Sequence, residues 1–135
     1  MLFFALGADE NEKKLRKTLK EELTMKIKEI AEAYDVEYES IDPKIIHSIF
    51  FNQENACKII EKLRFECVPI LGCDVYRMKD GEVAEILMPN LYVNKSEGES
   101  CREYLLRSCD EALNFVKNYS QYTNDINGIY FDLVV

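Results

Sequence analysis

The chain has 135 residues, 47% hydrophobic and 31% charged. That is the length of one domain, with enough apolar residue to build a core without disulfides or metal, and too much for a disordered chain. With 17 Lys+Arg against 25 Asp+Glu the formal net charge is −8. Phosphate repels such a surface, which argues against nucleic-acid and anionic-membrane ligands, while a basic protein would be drawn to it.

Met1 to Gly7 is apolar, but it lacks the basic start and longer apolar stretch of a secretion signal. No run approaches the roughly 20 apolar residues of a membrane span. The expectation is a cytosolic chain. Asp9 with Glu12 resembles a capping box, and Leu15, Leu19, Leu23, Ile27, Ile30 and Tyr34 then recur every three or four residues. This spacing predicts a helix over about 11–34. Its other faces carry Lys13, Lys14, Lys17, Glu21, Lys28 and Glu32, a mixed-charge surface suited to solvent or to a partner.

Residues 35–40 are polar and predict a connection with one short extended stretch. Asp42-Pro43 is a helix-start signal, followed by the apolar residues Ile45, Ile46, Ile49 and Phe50, so a short helix is expected there. Asn52 is placed to cap the next helix, with Ala56, Ile59, Ile60 and Leu63 facing inward.

From Cys67 the pattern turns extended, with irregularity expected at Pro69 and a bulge or close backbone approach at Gly72. Asp80-Gly81 predicts a hairpin turn, with a returning strand from Val83 to Met88 that Pro89-Asn90 breaks before Leu91-Tyr92-Val93. Ser100 with Glu103 is a capping box, opening a helix with inward Tyr104, Leu105, Cys109, Ala112, Leu113, Val116 and Tyr119. Asn127-Gly128 is a turn before a terminal strand, 129–135. The sum is a single α+β domain: a small, mainly antiparallel sheet (hairpin about 67–93 plus strand 129–135) packed with N-terminal helices and a helix about 101–119.

Chemistry-bearing motifs are sparse. The five cysteines, Cys57, Cys67, Cys73, Cys101 and Cys109, contain no C-x-x-C pair and read as reduced, small apolar residues. Cys101 and Cys109 would lie about 12 Å apart on one helix, too far for a disulfide. His47 is the single histidine, sits among isoleucines, and has no nucleophile or orienting acid placed beside it. No metal-ligand spacing and no phosphate-cradling glycine loop is present, so no metal, cofactor or catalytic residue is assigned. Asp74 is the acid of most interest, as a strand or bulge residue or as an exposed anion for a partner's Arg or Lys.

The run Val68-Pro69-Ile70-Leu71-Gly72-Cys73-Asp74-Val75-Tyr76, then Lys79-Asp80-Gly81, then Asn90-Leu91-Tyr92, resembles the immunity protein 40 family of bacterial polymorphic-toxin systems. The likeness covers roughly residues 45–135, with the first helix as an extension. Cys73 stands where the family pattern has a second glycine, and Leu91 where it has tryptophan. The resemblance implies a protein that binds and neutralises a toxin. An acidic inhibitor suits a basic nuclease toxin, because it can imitate the nucleic-acid field and speed association. From the residues themselves, the expected partner surface combines acids and aromatics near turns: Asp74, Tyr76, Asp80, Glu82, Asn90, Tyr92, Glu97 and Glu99. Two rival readings are a small enzyme or ligand-binding domain using Cys73-Asp74, and a structural or oligomeric module using the first helix.

Overall fold

The computed structural model describes residues 10–40 and 49–135, and the side chains of all of these except residues 16–21 and 24. Helix α1 spans Glu10–Ala33. It packs through its C-terminal end, where Ile27, Ile30 and Ala31 are buried, whereas Leu15, expected in the same apolar stripe, is 64% exposed. Asp35, with positive φ, ends the helix, and the Val36 N–H closes back onto the Ala31 carbonyl.

Two short strands follow, β1 (Glu39–Ser40) and β2 (Ile49–Phe50), paired antiparallel. Ile49 and Phe50 were expected on a helix, and the structure corrects this. Phe51 exchanges both backbone hydrogen bonds with Phe131, which holds the segment extended beside the last strand. The helix-start signal Asp42-Pro43, with Ile45, Ile46 and His47, lies outside the described residues, as do Met1 to Asp9.

Helix α2 (Gln53–Phe65) starts as expected, with the Asn52 side chain accepting from the Asn55 N–H. Its Ala56, Ile59, Ile60 and Leu63 are fully enclosed. Cys67 takes the left-handed conformation that ends the helix, and Val68 N–H returns to the Leu63 carbonyl.

Strand β3 (Gly72–Lys79) turns through Asp80-Gly81, both at positive φ, into β4 (Glu82–Tyr92). Helix α3 (Cys101–Lys117) begins with both hydrogen bonds of the Ser100–Glu103 capping box and is followed by a 3-10 turn, Tyr119–Tyr122. Strand β5 (Ile129–Val134) ends the chain's regular structure. The sheet order is β4-β3-β5, all antiparallel. The expected α+β architecture is therefore present.

Two boundaries differ from expectation. The strand starts at Gly72, not Cys67, because Val68, Ile70 and Leu71 send their N–H groups to Leu63, Ser108 and Val134 instead of a neighbouring hairpin strand. Strand β4 also runs through Pro89 to Tyr92. It lies at the sheet's end, where a missing N–H is tolerated, and a bulge opposite Asp74 takes up the irregularity. The Met88–Pro89 peptide is cis.

The core lies between helices α2 and α3 and the inner face of the sheet. Cys73 and Val75 of β3 and Ile129, Phe131 and Leu133 of β5 point into it, and Phe51, Ile70, Val116 and Tyr119 fill the remainder. Gly72 is required by a close approach: a Cβ there would overlap the Leu91 carbonyl oxygen.

Candidate functional site

Strand alternation divides the sheet into two faces. With Cys73, Val75, Ile129, Phe131 and Leu133 inward, Asp74 and Tyr76 of β3 and Tyr130, Asp132 and Val134 of β5 face outward. Across from them on β4, Leu87 and Leu91 pack against the core, and Ile86, Met88, Asn90 and Tyr92 share the outer face. Ile86 is 70% exposed, Met88 70% and Tyr92 74%, so this is an apolar surface left in water.

Its centre is polar. Asp74 stands directly opposite Asp132 in the β3–β5 register. The bulge makes three β4 residues, Met88 to Asn90, span what Asp74 alone spans on β3. It delivers the Asn90 amide, which donates to the Tyr92 hydroxyl at 3.2 Å and to Asp74 Oδ1 at 3.5 Å. Tyr76 packs edge-on against buried Phe50, with ring centroids 5.3 Å apart. Partial burial, then the fields of Asp132 and Asp74, push the Tyr76 hydroxyl above its ordinary pKa.

The eight sequence-predicted residues do not form one cluster. Asp74, Tyr76, Asn90 and Tyr92 come together on the outer face. Asp80 and Glu82 are exposed at the hairpin tip, about 20 Å along the strand from Asp74 at 3.3 Å per residue. Glu97 and Glu99 lie in the loop after β4, at the other end of the sheet.

Glu97 is exposed, but Glu99 is held inside the loop, its side chain 12% exposed. Both its carboxylate oxygens accept from Arg107, Nε to Oε2 at 2.7 Å and Nη2 to Oε1 at 2.9 Å, and Oε1 also accepts the Ser96 N–H. Arg107 continues to the Asn94 carbonyl and to Glu111. The Arg107 hydrogen bonds, followed by the one from Ser96, lower the Glu99 pKa to about 2. The chemistry of this acid is spent on pinning the loop to α3.

Sequence reasoning missed Asp132, Ile86 and Met88. The alternation in Ile129 to Leu133 already separates Asp132 from its apolar neighbours, but its pairing with Asp74 is a property of register between distant strands. Cys73 and Asp74 do not line one pocket. The thiol is on the core side, fully enclosed, and burial with the nearby Asp132 and Asp74 carboxylates pushes its pKa well up, the wrong direction for a nucleophile. Among the described residues, no group of three or more His, Cys, Asp or Glu is placed to hold a metal, and no helix is long and apolar enough to cross a membrane.

The family model of immunity protein 40 matches residues 38–135. The chain belongs to the immunity protein 40 family. No curated protein and no solved structure shows significant similarity to it. The matched region begins after α1 and contains the whole β4-β3-β5 sheet with α2 and α3. Within it Cys73 is enclosed in the core and Leu91 packs against it. Asp74, Tyr76, Asn90 and Tyr92, from the same stretches of sequence, face outward.

Proposed function

We propose that this chain is a toxin-neutralising protein of a polymorphic-toxin system, acting in the cytoplasm by stoichiometric occlusion of a cognate toxin domain and making or breaking no bonds. Membership of the immunity protein 40 family carries this reading. The outer face of the matched sheet, with Ile86, Met88 and Tyr92 exposed around two acids, supports it, since occlusion needs an exposed, preformed surface. A net charge of −8 favours a basic partner such as a nuclease domain, whose approach would be accelerated at low salt.

The test is co-expression with the toxin domain encoded beside this chain's gene. Restored growth, together with a purified 1:1 complex that contains both chains intact, is the expected result. Failure to protect, or protection at a small fraction of the toxin's concentration with the toxin covalently altered, would overturn the reading.

A further inference from the structure

We propose that the free edge of β4, centred on Ile86, takes up an extended segment of a basic protein partner as a fourth strand of the sheet. This rests on the reading of the chain as a toxin inhibitor, and it adds the surface and the kind of contact.

The order β4-β3-β5 gives the sheet two edges. The β5 edge is engaged, since Phe51 exchanges two backbone hydrogen bonds with Phe131. Among the described residues no strand pairs with the outer edge of β4. In an antiparallel strand, successive residues turn their N–H and C=O groups to alternate sides. The Met78 N–H bonds to the Gly128 carbonyl, on the β5 side of β3. Alternation then turns the backbone groups of Tyr76 toward β5, and those of Val75 and Arg77 toward β4. Their register partners Leu87 and Glu85 therefore bond to β3, and Ile86 between them aims its N–H and C=O away from the sheet.

The ladder to β3 slips beside Ala84 and again at Met88 to Asn90, so Ile86 is the centre of the regular stretch. Those bulges guard its two ends. Its middle lacks the lysine, proline or covering element with which soluble proteins protect an open edge. Val83 to Met88 carries one charge, Glu85, which lies 3.5 Å from Arg77. Glu82 to Ile86 are all exposed, whichever face each takes, so a strand can come alongside without meeting the body of the domain. Ile86 and Met88, each 70% exposed, offer apolar contact to its side chains. Outward backbone groups of this kind select an extended chain. The acids Glu82 and Glu85 and the net charge of −8 favour a segment that carries Lys or Arg, whereas a second copy would bring −8 against −8.

The experiment follows amide exchange residue by residue in the full chain, free and bound to the catalytically inactivated toxin domain encoded beside its gene. In the free chain the Ile86 amide should exchange quickly, while those of Glu85 and Leu87 are protected. In the complex the Ile86 amide should slow by at least about 10-fold, as one new backbone hydrogen bond requires. Calorimetry then compares Ile86→Ala, which keeps the N–H, with Ile86→Pro, which removes it and spares the bonds to β3. The proline variant should bind at least about 10-fold more weakly than the alanine variant. An Ile86 amide that exchanges as fast in the complex as in the free chain overturns the added strand while leaving toxin neutralisation standing, and does so even where the proline variant fails to fold. A parent chain that neither binds nor protects overturns the proposed function and the added strand together. A parent chain that dimerises and protects the Ile86 amide without toxin assigns the edge to a second copy and also overturns the proposal.

Discussion

Ser108 is the one polar residue among the described positions that is wholly enclosed, and its removal has a calculable cost. It sits on the inward side of α3 beside the extended segment that links α2 to β3. Its hydroxyl accepts the Ile70 N–H at 3.1 Å and donates to the Leu105 carbonyl at 3.1 Å. Ile70 is itself fully buried. In Ser108→Ala the enclosed Ile70 N–H loses the hydroxyl to which it donates. A buried donor left unsatisfied costs about 1–3 kcal/mol. Alanine returns about 0.5 kcal/mol through better helix propensity. The expected net loss is about 0.5–2.5 kcal/mol. With a urea m-value of about 1.5 kcal/mol/M, the unfolding midpoint should fall by about 0.3–1.7 M, with m unchanged. Asn114→Ala, on the exposed side of the same helix, should be neutral or stabilising. The Ile70 amide should exchange with solvent faster in Ser108→Ala. A Ser108→Ala chain as stable as its parent, with Ile70 still protected, would refute the reasoning.

Two further outcomes test the site's surroundings. The Glu99 pKa is lowered to about 2 in the folded chain, from 4.5. Its contribution to stability is therefore full above about pH 4.5 and is lost as pH falls toward 2. Glu99→Gln should be less stable than the parent at neutral pH, and the difference should shrink over that window; a difference independent of pH from 7 to 2 would contradict the Arg107 clamp. Thiol labelling of the native chain should modify Cys67 and Cys101 quickly, since both are exposed, and spare enclosed Cys73 and Cys109 until unfolding. Rapid, selective labelling of Cys73 would revive the pocket reading of Cys73-Asp74.

Local codes decided much of the fold in the sequence alone. Asn52 and Ser100 start helices because their side chains satisfy N–H groups that no helix can satisfy for itself. Asp80-Gly81 turns the chain because both residues take positive φ. The enclosed faces of α2 and α3 follow from period 3.6, which needs no knowledge of what lies opposite. The sequence also carried the acids and aromatics of the site, and the run from Val68 to Tyr92 on which the family resemblance rests.

Tertiary structure decided whatever depends on a partner distant in the chain. Ile49 and Phe50 became strand because Phe51 bonds to Phe131, eighty residues on. Pro89 stayed within β4 because the strand is at the end of the sheet and bulges there. Glu99 left the candidate surface because Arg107, one helix away, holds both its oxygens. Asp132 joined it because strand register sets it across from Asp74. A side chain's face follows from its neighbours in sequence, but its electrostatic company is set by which strands and helices pack together.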